Sequence, residues 1–107
     1  MKIGIVIGTN KPEVVWNALR RCVTALKNKH KTKIFLLGKG VELEEIKHKK
    51  FNLKEQIDLF IENKGKILAC GTCLKFRGKK GSSVCPISTM DDLLKLVKES
   101  DRVLTFG

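Results

Sequence analysis

The chain has 107 residues, 42% of them hydrophobic, and a formal net charge of +11 from 22 Lys and Arg against 11 Asp and Glu. That length holds one packed core and not two. The longest apolar runs, such as Ile5-Val6-Ile7 and Ile34-Phe35-Leu36-Leu37, are far shorter than the ~20 residues that span a bilayer, so no transmembrane segment and no membrane partner are expected.

The first element is Lys2-Ile3-Gly4-Ile5-Val6-Ile7-Gly8, which reads as a buried strand. It lacks the longer apolar region and small-residue cleavage site of a secretory signal, which makes a cytoplasmic location the expectation. After a loop at Thr9-Asn10-Lys11, Pro12 suits the first position of a helix running to about Lys29. Its buried stripe is Val15, Ala18, Leu19, Cys22, Val23 and Leu26. Lys33 to Gly38 forms the second strand, and Lys39-Gly40 breaks it ahead of a charged connection with a short helix around Leu43 to Ile46.

Asn52 and Glu55 have the spacing of a capping box, and Leu53, Ile57, Phe60 and Ile61 form the stripe of a helix ending near Lys64-Gly65. Lys66 to Ala69 is the third strand, Gly78 to Ser83 a surface loop, and Val84 to Ile87 a short extended piece. Ser88 with Asp91, or Thr89 with Asp92, caps a last helix over roughly 90 to 99, and residues 101–106 supply the final strand. Strands alternate with helices, which predicts a single domain over 1–107: an α/β sandwich with a mainly parallel sheet and helices on both faces. Ligands of such sheets gather at the carboxyl ends of the strands, where Thr9 and Asn10 would meet Cys70.

Cys70-Gly71-Thr72-Cys73 follows the third strand directly. If the chain turns at Gly71 into a helix, Cys70 stands at the strand end and Cys73 in the first helical turn, where free amide N–H groups favour thiolate. Lys75 and Arg77 add positive charge, and Arg77 is a candidate to hold an anionic sulfur species. Cys22, on the buried stripe, reads as an inert core residue. Cys85 reads either as a resolving thiol or as an unpaired loop cysteine. Four reduced thiols fit this chain better than two disulfides, because its apolar fraction needs no staple.

No metal site is expected: Cys70, Cys73 and Cys85 give three sulfur ligands where structural zinc takes four, and His30 and His48 lie in exposed lysine-rich segments. No phosphate-binding glycine motif is present, so no cofactor is expected. With no Tyr, one Trp and five Phe there is no base-stacking platform. The positive charge falls in three clusters: Lys27, Lys29, Lys31 and Lys33; Lys47, Lys49, Lys50 and Lys54; Lys75, Arg77, Lys79 and Lys80. These predict either a polyanion-attracting patch or a solvated surface of the thermophile kind.

The order of these pieces resembles the DsrE/DsrF-like family of small sulfur-relay proteins, in particular its uncharacterised archaeal and bacterial branch. Ala-Cys-Gly-Thr-Cys-Leu-x-x-Arg-Gly at 69–78 is the most specific part, supported by Lys2 to Gly8 with Thr9-Asn10, Phe51-Asn52-Leu53, Ser88-Thr89-Met90 and the ending Asp101 to Phe106. The resemblance implies a three-layer α/β/α domain with about five strands, often assembled into trimers or hexamers. It also implies a cysteine, here Cys70, that carries sulfur as a persulfide between donor and acceptor proteins, with any nucleic acid engaged only indirectly. Cys73 is not shared by all sulfur-relay members. Gly71, Thr72, Thr9, Asn10 and Arg77 are the expected surroundings of the sulfur. Two other functions fit the residues: an interaction module whose basic patches bind an acidic protein or RNA, and a dithiol redox protein using Cys70 and Cys73.

Overall fold

The computed structural model describes all residues, 1–107. Five strands, β1 (Lys2–Ile7), β2 (Lys31–Leu36), β3 (Lys66–Cys70), β4 (Ile87–Ser88) and β5 (Arg102–Phe106), form one sheet in the order β4-β3-β2-β1-β5. Every pairing is parallel. Helices α1 (Pro12–Lys27), α2 (Leu53–Glu62), α3 (Gly71–Phe76) and α4 (Met90–Glu99) make the crossovers, and a 3₁₀ segment spans Gly38–Glu45.

The first three steps move the chain outward in one direction from β1 to β4, and the last returns it across the sheet to β5. Right-handed crossovers then place α1, α2 and α3 on one face and α4 on the other, giving three layers. Gly4 is where α4 comes close: a Cβ there would stand 2.5 Å from Leu96 Cδ2 and 2.6 Å from Ser100 Oγ. The core joins Ile5, Ile7, Ile34, Leu36 and Ile67 of the strands to Val15, Leu19 and Cys22 of α1 and Ile57 and Phe60 of α2. These central strands carry near-continuous apolar runs because both their faces are covered.

Most expected elements stand within a residue or two of their expected bounds. Helix α1 ends at Lys27 rather than Lys29, because Asn28 and Lys29 are taken up in closing the helix: Lys29 N–H donates to Leu26 O and His30 N–H to Ala25 O. Strand β2 accordingly starts at Lys31, paired with Lys2, and ends at Leu36. The short helix expected near Leu43–Ile46 is the longer 3₁₀ segment, which begins directly after β2. Of the two cap signals before α4, Thr89 is the cap, its Oγ1 accepting from Asp92 N–H at 3.2 Å. Ser88 instead belongs to β4, and its hydroxyl donates to Asp92 Oδ2 at 2.6 Å.

Candidate thiol site

Parallel strands put all their carboxyl ends on one edge of the sheet, and the shortest connection there follows β3, which passes into α3 with no residue between. Cys70 ends β3 and is also the cap of α3: its Sγ accepts from Cys73 N–H at 3.4 Å. Gly71 allows this turn because β4 lies close; a Cβ at Gly71 would stand 3.1 Å from both Ile87 Cγ1 and Ser88 O. Cys70 is 2% exposed, whereas Cys73 is half-buried and Thr72 exposed. Cys73 Sγ in turn accepts from Gly38 N–H at 3.2 Å, at the start of the 3₁₀ segment. All four cysteines are free thiols.

The electrostatics differ from the sequence expectation. Burial pushes the Cys70 thiol above its ordinary 9.0, and the neighbouring Cys73 side chain pushes it further. The backbone N–H groups of Cys73 and Thr72 pull the other way without reversing the shift. Of the two cations expected to favour thiolate, Arg77 is engaged elsewhere. Arg77 Nε donates to Glu42 Oε2 at 2.7 Å and its Nη1 to Cys73 O at 3.1 Å, while Lys79 pairs with Glu45. Lys75 is exposed. Two of the four residues of the third basic cluster, Arg77 and Lys79, therefore fasten the 3₁₀ segment to the chain leaving α3.

Glu42 is the residue that sequence reasoning missed. It accepts from Arg77 and, through Oε1, from Asn10 Nδ2 at 3.1 Å, so one carboxylate links the β1 loop, the 3₁₀ segment and α3. The Arg77 hydrogen bond, followed by that from Asn10, holds the Glu42 carboxyl below its ordinary value. No local pattern marks Glu42; only the path of the 3₁₀ segment brings it here. Asn10 thus reaches the thiol helix through Glu42. Thr9 is buried, and its Oγ1 accepts from Lys11 N–H at 3.2 Å, closing the turn after β1.

Cys85 is buried beside a small cavity of about 230 Å³ lined also by Glu44, Ala69 and Leu74, but by neither Cys70 nor Cys73. Burial, then the charge of Glu44, raises its thiol to about 12. Cys22 is 1% exposed in the core and is likewise raised to about 12 by burial. No three His, Cys, Asp or Glu side chains converge as a metal-binding group.

Fold and site together define a small three-layer α/β protein with a thiol pair at the carboxyl end of a parallel strand. The sequence matches the DsrE/DsrF-like family over residues 1–106. The chain belongs to that family. It is 35% identical to the uncharacterized protein MJ0989 of Methanocaldococcus jannaschii, over 99% of this chain and all of that one. It is 36% identical to the uncharacterized protein MK0008 of Methanopyrus kandleri, over 88% of this chain and 83% of that one. In fold it is similar to a conserved protein of unknown function, BT1422 from Bacteroides thetaiotaomicron, with a TM-score of 0.76 and 19% identity, covering 97% of this chain and 93% of the other.

Proposed function

We propose that the protein is a cytoplasmic sulfur carrier that holds a persulfide on Cys70 and passes its outer sulfur to an acceptor protein. The observation that carries this reading is the position of Cys70: it ends β3 and caps α3, with a second thiol one helical turn away. Family membership supports a role in sulfur relay.

In the loading step, the Cys70 thiolate attacks the terminal sulfur of a donor persulfide. A new S–S bond forms, the donor's S–S bond breaks, and its electron pair leaves on the donor thiolate. An acceptor thiolate takes the outer sulfur by the same exchange. Cys73 offers a second exit: its thiolate attacks the inner sulfur of Cys70, forming the Cys70–Cys73 disulfide and releasing hydrosulfide. A dithiol reductant then restores both thiols. The Gly38 N–H donates to Cys73 Sγ at 3.2 Å and holds that sulfur in place beside the end of β2. Because Cys70 is buried and raised, loading is coupled to contact with the donor. Phe76 at the end of α3 and Ile87 of β4, 82% and 64% exposed, offer apolar surface for that contact.

The working form is a homo-oligomer, a trimer or hexamer. On α4, Met90, Leu94 and Val97 recur at helical spacing and are exposed, and edge strand β5 leaves Val103 and Leu104 partly exposed. A second copy covering these residues would remove an apolar patch and protect an open edge.

Incubation with a cysteine desulfurase and cysteine, or with thiosulfate and a sulfurtransferase, should add one sulfur atom to the peptide containing Cys70. Labelling of Cys70→Ser to the wild-type extent would refute the assignment.

A further inference from the structure

The opposite edge of the sheet, where the parallel strands begin, carries a second feature. A cavity of about 520 Å³ opens there, more than twice the volume of the one beside Cys85. Six lysines line it: Lys2, Lys31 and Lys66, which open β1, β2 and β3, together with Lys33, Lys29 and Lys64. His30 joins them, and Glu99 is the sole acidic side chain of the lining.

Several details show this charge held together against its own repulsion. In the strand register Lys2 stands opposite Lys31, and Lys33 opposite Lys66, pairings of like charge that weaken a sheet. Lys29 and Lys64 both have φ of +70°, in the left-handed region that side chains with a Cβ avoid. Each occupies the position after a helix cap that glycine normally fills, closed by the same hydrogen-bond pair: Lys64 N–H donates to Ile61 O and Gly65 N–H to Phe60 O, as at α1. Helix α3 closes identically but with Gly78, φ +62°, at that position. Lysine thus replaces glycine at the two closures that face the cavity. The chain's ion pairs use Lys54, Arg77 and Lys79, none of the six.

Neutralisation of helix ends does not account for so many cations. The carboxyl ends of α1, α2 and α4 point to this edge, each with about half a negative charge. With Glu99 added, and Asp101 whose carboxylate accepts from the Lys2 N–H at 2.7 Å, more than two of the six lysine charges are still left over.

We infer that this cavity is a binding site for a chain of phosphoryl groups, independent of the thiol chemistry at the far edge. The volume suits a small multiply charged ligand. The lining contains no Phe, Tyr or Trp, and its one ring, the His30 imidazole, meets the amino terminus at 3.1 Å through Nδ1, so recognition falls on the phosphates and not on a base. Such a phosphate chain is supplied either by a free polyphosphate or by a nucleic acid backbone.

Calorimetric titration of the full chain with inorganic tripolyphosphate at low salt tests this. Saturable binding with one ligand per chain is expected, retained by Cys70→Ser and weakened by salt. Lys29→Asn with Lys64→Asn should weaken it roughly tenfold. Asparagine accepts the left-handed backbone, so the melting temperature should hold or rise. Lys47→Asn with Lys49→Asn removes the same charge from exposed positions outside the cavity and should change affinity less than about twofold. A single-stranded RNA that displaces tripolyphosphate, and is weakened by the Lys29/Lys64 pair, identifies a nucleic acid as the source. Failure of RNA to displace it identifies the free polyphosphate. Absence of tripolyphosphate binding at millimolar concentration, or equal weakening by the two double variants, would overturn the inference.

Discussion

Replacing Cys73 with alanine tests what controls the Cys70 thiol. In the wild-type chain burial comes first among the causes that raise Cys70 above 9.0, the Cys73 side chain adds to it, and the Cys73 backbone N–H at 3.4 Å opposes it. A thiol at the ordinary 9.0 is about 1% thiolate at a pH of about 7 and one activated to about 7 is half ionised, and burial puts Cys70 on the alkaline side of the first case. These two cases differ by roughly fifty-fold in thiolate and by a smaller factor, about five- to eight-fold, in alkylation rate, because the intrinsic nucleophilicity of a thiolate falls with its pKa. Iodoacetamide labelling from about pH 6 to 11, read by mass spectrometry of the Cys70 peptide, measures this. The wild-type rate should still be climbing at pH 9. Cys73→Ala removes the raising contribution of the side chain and keeps both the backbone donor and the burial, so the profile should move acidward while staying on the alkaline side of neutrality. A wild-type plateau below about pH 8 would show that the helix start outweighs burial, and the reasoning would fail.

Three further outcomes are expected. Cys22 has its folded pKa raised from 9.0 to about 12 by burial, so its stabilising contribution is complete below 9.0 and falls as pH rises towards 12. That linkage is worth up to about 4 kcal/mol, and urea titrations should give Cys22→Ala a flatter loss of stability than wild type over that interval. Leu94→Glu places a charge in the exposed apolar stripe of α4 and should lower the mass seen by light scattering towards a single chain without changing the circular dichroism; an unchanged mass would remove α4 from the interface. Glu42→Gln weakens the acceptor shared by Arg77 and Asn10 and should speed Cys73 alkylation and amide exchange in the 3₁₀ segment; protection equal to wild type would show that this link does not hold the segment in place.

How much of this was legible in the sequence follows from the range of each interaction. Pro12, the Asn52–Glu55 spacing and the alternation of apolar runs act within a few residues, and they located α1, α2, β1 and β3 directly. The strand end at Cys70 and the helix start at Gly71 were legible for the same reason. The register shift at β2 was not, because it depends on how many residues α1 needs to close, and a lysine at φ +70° carries none of the signal a glycine would. The cap before α4 was ambiguous in sequence, since two overlapping signals fit; the pairing of Ser88 with Cys70 across β4 and β3 left Thr89 free to cap.

The sequence by itself determined the alternation of elements, the parallel sheet that follows from it, and the placing of a thiol where β3 hands over to α3, since all of these arise from local periodicity and turn chemistry. The tertiary structure alone decided the charge state of that thiol. Burial and the added push of the Cys73 side chain raise that thiol through contacts across space that leave no mark on spacing. It also gathered Lys2 and Lys64, residues from opposite halves of the chain, around one cavity, because an all-parallel sheet brings every strand start to the same edge.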